Sequence, residues 1–179
     1  MGVLRPSRDS ALIVAVELPA GLEALRHAHV PDAASEGMPA HATLLYPFAE
    51  PASLDAGVLE RIAALCGGHG SWAMTLGASA RWPDTLYATV EPDAPIRALQ
   101  ADLAAEFPEL PLYGDPGLRF EPHVTIAEGA GMKTSAIADD PAWSELPVTL
   151  PVDEVALIVR RDGKWAVERA FPLRRRSVA

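Results

Sequence analysis

The chain has 179 residues, 49% of them hydrophobic and 22% charged, which fits one folded domain or two small lobes sharing a core and excludes a disordered chain. Its 15 Lys and Arg against 24 Asp and Glu leave a net charge of −9, which repels a nucleic-acid backbone at long range and excludes broad, stable DNA binding. A small anionic ligand held by local donors remains compatible with that balance. The lone cysteine, Cys66, reads as a small buried side chain and fits a reducing, cytoplasmic setting. The apolar run over 11–16 is too short for a secretory or membrane-spanning segment.

In chain order, residues 11–18 form a compact apolar run that predicts a buried strand, broken by Pro19 and Gly21. Residues 22–29 predict a short helix and 30–39 a loop. A strand over 41–46 ends at Pro47. Residues 53–66 predict an amphipathic helix, with Leu54, Val58, Leu59, Ile62 and Leu65 at helical spacing, Ser53 as N-cap and Gly67–Gly68 as terminator. Strands over 72–76 and 86–90 flank a turn at 82–84. A second helix over 95–107 buries Ile96, Leu99, Leu103 and Phe107 and stops at Pro108.

Residues 110–117 are a Pro- and Gly-rich loop, followed by a strand over 122–127. Weak helical pieces over 133–146 are interrupted by Pro141. Strands over 155–159 and 165–171 form a hairpin around the strong turn dipeptide Asp162-Gly163. Residues 174–179 are a basic, solvated tail. Hairpins mixed with helices, without strict βαβ alternation, predict an α+β fold with antiparallel sheets.

Two strands carry the same pattern, His41-Ala42-Thr43-Leu44 and His123-Val124-Thr125-Ile126, 82 residues apart. That spacing is close to half the chain and predicts two similar lobes, each contributing one such strand. Alternate strand residues share a face. His41 therefore lies beside Thr43 and His123 beside Thr125, with apolar neighbours pointing to the core. Two imidazoles and two hydroxyls across a cleft suit phosphodiester chemistry. One histidine removes a proton from the attacking oxygen, and the other protonates the leaving oxygen. The hydroxyls donate to the non-bridging phosphoryl oxygens as charge develops there. This scheme requires no metal and no cofactor. His69-Gly70-Ser71 resembles the pattern but lies among glycines without apolar alternation, so it reads as a loop.

The two motifs, His41-Ala42-Thr43-Leu44-Leu45-Tyr46-Pro47-Phe48 and Pro122-His123-Val124-Thr125-Ile126-Ala127, resemble those of the 2H phosphoesterase superfamily, and most closely its bacterial 2′-5′ RNA ligase family. The resemblance extends over most of the chain, including the Tyr113-Gly114 loop. It implies a single bilobal domain over 1–179, with two pseudo-symmetric lobes, antiparallel sheets facing a central cleft, helices outside and one motif per lobe. It also implies opening of 2′,3′-cyclic phosphates of nucleotides or short RNA ends, in some members with reversible 2′-5′ joining of RNA. Carried onto this chain, His41 and His123 become the acid–base pair, and Thr43 and Thr125 the phosphate ligands.

RNA-joining relatives often carry an arginine soon after the second motif, where this chain has Ala127-Glu128-Gly129. An acidic Glu128 near the cleft opposes an RNA backbone. Arg81, Arg119 and Lys133 are candidates for a substitute cation. Tyr46, Phe48, Trp82, Tyr113 and Phe120 are candidates to stack a base or to fill the core; Tyr46, Tyr113 and Arg119 are the substrate-binding residues of choice. The alternative reading is a non-catalytic module that binds nucleotides or RNA ends in the same cleft. A metal hydrolase using His41, His123 and Glu121 or Asp115 lacks the usual ligand spacing.

Overall fold

The computed structural model describes residues 4–30, 33, 35–111, 120–129 and 134–175. Ten strands are described: β1 (Pro6–Ser7), β2 (Ser10–Ala15), β3 (His41–Leu45), β4 (Phe48–Ala49), β5 (Trp72–Trp82), β6 (Thr85–Glu91), β7 (His123–Glu128), β8 (Val148–Val152), β9 (Glu154–Arg161) and β10 (Lys164–Pro172). Eight of them make one sheet in the order β10-β9-β2-β3-β7-β6-β5-β8, with every pair antiparallel. β1 and β4 pair separately. The fold is α+β, as expected. The sheet comprises two four-stranded halves joined edge to edge, and the seam is β3 against β7, the two strands with the repeated motif.

Period-two alternation explains why these strands divide the core. Leu12 and Val14, Ala42 and Leu44, Val124 and Ile126, and Ala88 and Val90 all join one large buried cluster. Helices cover that cluster: α1 (Ala20–His29), α2 (Ala56–Gly68) and α3 (Ala94–Glu106) supply Leu22, Ile62 and Leu99, each fully buried. α3 packs on α2 and β3, whereas α1 packs on β7 and the 3-10 turn Pro141–Glu145. The opposite face of β2 and β9 carries Ala11, Ile13, Ala156 and Ile158, which form a second cluster with Trp165.

Three local expectations are corrected. The N-cap of α2 is Asp55, whose carboxylate accepts from Val58 N at 2.9 Å. Ser53 instead closes the 3-10 turn Pro51–Ser53, donating its hydroxyl to the Glu50 carbonyl at 2.7 Å. Gly67 and Gly68 lie inside the last turn, and the chain leaves the helix at His69. β5 runs on past residue 76 to Trp82 through an irregularity between Leu76 and Ser79. The second hairpin turns as expected, with both Asp162 (φ 51°) and Gly163 (φ 73°) left-handed, as a type I′ turn requires. A short helix, α4 (Thr134–Ala138), precedes the 3-10 turn at Pro141. No helix among the described residues is long and apolar enough to cross a membrane.

Candidate active site

The seam strands are aligned by the pair Ala42–Val124. In antiparallel pairing, each neighbour of one partner then faces a neighbour of the other. Thr125 therefore stands across from His41, and Thr43 across from His123. The two histidines occupy opposite corners of a four-residue square on the face turned away from the main core. All four side chains line one cavity of about 220 Å³. Alternation within each strand and a single register between strands thus assemble the predicted quartet.

Both imidazoles are held the same way. His41 Nδ1 donates to the Pro39 carbonyl at 2.7 Å, and His123 Nδ1 donates to the Glu121 carbonyl at 2.8 Å. Each acceptor lies two residues before its histidine. A carbonyl can only accept, so Nδ1 carries the proton and Nε2 is the nitrogen that can exchange one. His41 is held well below the usual imidazole range, at about 4. Burial is the main cause, and the charges of Arg26 and His123 add to it against the Pro39 hydrogen bond. His123 is also lowered by burial, but the Glu121 carbonyl and the Glu121 carboxylate pull the other way.

The His123 ring packs against two aromatic side chains. Trp82 meets the imidazole edge-on with centroids 4.6 Å apart, Tyr87 lies 5.3 Å from it, and the two aromatic rings sit 4.3 Å from each other. Trp82 is 39% exposed at the end of β5. Ala11, Ile158 and Met38 add apolar lining to the same cavity.

Among the other anticipated residues, Tyr46 lines the cavity, as does Glu128, so an acidic group does stand at the cleft. Phe48 is fully buried, edge-to-face with Phe107 at 5.3 Å, and belongs to the core. Phe120 is half-buried outside any strand. Arg81 is exposed on β5 and does not line the cavity. Tyr113, Asp115, Arg119 and Lys133 lie outside the described residues. Glu121 is engaged by Arg97 at 2.9 Å. His69 caps α2 and pairs with Asp102 at 2.9 Å, away from the cavity.

One charged residue of the cavity lies outside the expected set: Arg26, which lines the same space. The signal was present in the sequence. Arg26 falls four residues after Leu22 and one after Leu25, on the stripe that α1 buries, and a charge on such a stripe invites a search for its partner.

Residues 14–164 match the 2′-5′ RNA ligase superfamily, and the chain belongs to that superfamily. Among solved structures it is similar to Escherichia coli LigT in its complex with 3′-AMP, at 18% identity and a TM-score of 0.60 over 94% of this chain and 99% of that one. It is similar also to the protein TT0787 of Thermus thermophilus, at 20% identity and a TM-score of 0.56 over 94% and 99%. A third structure, described as a phosphoesterase, aligns at 17% identity and a TM-score of 0.56 over 95% and 99%. At these identities the likeness is one of fold. No curated protein matches the sequence.

Proposed function

We propose that the protein is a metal-independent cyclic phosphodiesterase that opens 2′,3′-cyclic phosphates of nucleotides by two-histidine acid–base catalysis. The observation that carries this reading is the placement of two Nδ1-anchored histidines, each facing the other strand's threonine, on one cavity. In line with it, three of the LigT structures are complexes with nucleotides, namely 3′-AMP, ATP and NADP+, and another is a complex with phosphate. The 220 Å³ cavity suits a nucleotide-sized fragment rather than a long strand.

The electrostatics divide the two roles. Arg26 stands by His41 and favours its neutral form, while Glu121 stands by His123 and favours its protonated form. His41 Nε2 accordingly takes the proton of a water molecule as its oxygen attacks phosphorus. His123 Nε2 donates its proton to the ribose oxygen as the P–O bond breaks on the opposite side. The product is a phosphomonoester with a free neighbouring hydroxyl, and the two histidines exchange states before the next turnover. Thr43 and Thr125 hydrogen-bond the non-bridging oxygens. Glu128 at the cleft favours small cyclic phosphates over RNA ends and disfavours RNA joining. The buried Cys66 thiol, pushed up to about 11 by burial, stays protonated and inert and suits a reducing cytoplasm.

The test is hydrolysis of a panel of 2′,3′-cyclic nucleotides and a short RNA ending in a 2′,3′-cyclic phosphate, with EDTA present throughout. Turnover of at least one cyclic phosphate is expected. Complete inactivity across the panel, or activity only after divalent metal is restored, would sink the proposal.

A further inference from the structure

Neither motif strand carries a lysine or arginine, but α1 brings an arginine to the cavity. Arg26 belongs to the last turn of α1, and its side chain is only 3% exposed. A guanidinium is seldom buried so deeply unless it is paired. Here the pairing uses one edge of the fork. Glu23 accepts from Nε and from Nη2, each at 3.0 Å, and the Met38 carbonyl accepts from Nη2 at 2.8 Å. No acceptor for Nη1 is found among the described residues.

Glu23 does not cancel this charge within the cavity. Its carboxylate is 34% exposed and is shared with His27 at 2.9 Å, so water screens it, whereas the guanidinium is enclosed. Arg26 lines the cavity together with His41, Thr43, His123 and Thr125. Its field also reaches the His41 ring. A fork clamped on one edge and lining a cavity that also holds two imidazoles and two hydroxyls is preorganised for a tetrahedral oxyanion.

We propose that Arg26 is the phosphate-anchoring cation of this site, its Nη1 edge hydrogen-bonding a non-bridging phosphoryl oxygen between the two histidines. As a statement about phosphate it rests on the phosphoesterase reading above; as an anion site it can be tested without turnover. In the reaction, Arg26 holds the cyclic phosphate in line between the Nε2 atoms and offsets the charge that builds on phosphorus. A residue that merely tied α1 to the Met38 segment would do neither.

The probe is inorganic phosphate, titrated at pH 7 into the wild type and into Arg26→Gln, with thermal unfolding recorded for each. Binding in the wild type that weakens at least tenfold in a folded Arg26→Gln supports the proposal. Absence of phosphate binding in the wild type, or equal affinity in the folded variant, overturns it. Because loss of a buried arginine can unfold the chain, a second measurement uses the wild type alone. The Arg26 side-chain N–H resonances should shift as phosphate is added, and resonances that stay still while phosphate binds overturn the proposal. Two failures remain distinguishable. Arg26-dependent phosphate binding without turnover of any cyclic phosphate sinks the reaction, whereas turnover with phosphate binding indifferent to Arg26 sinks the anchor.

Discussion

Ala42 stands opposite Val124 at the centre of the eight-stranded sheet, and this single pairing sets the whole site. Both side chains are fully buried on the core face, so the histidines and threonines on either side of them are turned to the cavity. A larger group at the seam must push the two strands apart. Ala42→Leu is expected to cost about 1–3 kcal/mol through overpacking and to lower turnover beyond what stability explains, because it moves both histidines together. Urea denaturation and kcat measured on the same preparation check this, and unchanged kcat would separate the seam from the chemistry.

The pH profile follows from the two depressed histidines. His41 lies near 4 and His123 below its ordinary 6.5. The base works above its own pKa and the acid below its own. Activity should therefore peak on the acid side of neutrality, between about 4 and 6.5, and fall toward pH 8. Glu121→Gln removes the anion that holds His123 up and should move the alkaline limb lower, with the acid limb in place. An alkaline limb that rises, or does not move, contradicts the assignment of His123 as acid.

The same burial makes His41 a stability switch. Its folded pKa is depressed, so the unfolded chain binds a proton more readily than the folded one. The His41 contribution is fully present above pH 6.5 and is lost as pH falls through about 4. Full titration corresponds to roughly 3 kcal/mol. Between pH 7 and 4 the urea midpoint of the wild type should fall further than that of His41→Gln. Parallel curves would show that His41 carries no such penalty.

Glu145 joins the two halves by capping α1 from far away in sequence. Its carboxylate accepts from Gly21 N at 3.1 Å and from Leu22 N at 2.9 Å, satisfying donors that the helix itself leaves open. Glu145→Ala should cost about 0.5–2 kcal/mol. A Cβ at Gly21 would lie 2.9 Å from both carboxylate oxygens, so Gly21→Ala should displace the cap. The two losses should not add: in the Glu145→Ala background, Gly21→Ala should cost almost nothing. Additive losses in a double-mutant cycle would rule out the shared cap.

The parts of this fold written locally could be read from the sequence. Alternation placed each histidine beside its threonine, helical spacing marked α2 and α3, and Asp162-Gly163 marked the last hairpin. What depends on distant pairing could not. The Ala42–Val124 register joins segments 82 residues apart, and nothing nearby in the chain encodes it. β8 escaped because Pro147 and Pro151 interrupt a short run, and a strand with prolines is tolerated here at the sheet edge. The α2 cap is ambiguous in sequence because Ser53 and Asp55 are both good caps two residues apart, and only the 3-10 turn Pro51–Ser53 decides between them. Arg26 is hard to read as a site residue from sequence because a basic residue late in a helix is ordinarily solvated.

The central claim is that His41 and His123 act as one acid–base unit, and the most direct test compares wild type, His41→Ala, His123→Ala and the double variant on a single 2′,3′-cyclic nucleotide with EDTA present. Each single loss should lower kcat by on the order of 100- to 10,000-fold, and the double variant should be little worse than either, because residues acting in one step are not additive. Wild-type turnover that survives removal of either histidine would contradict the account.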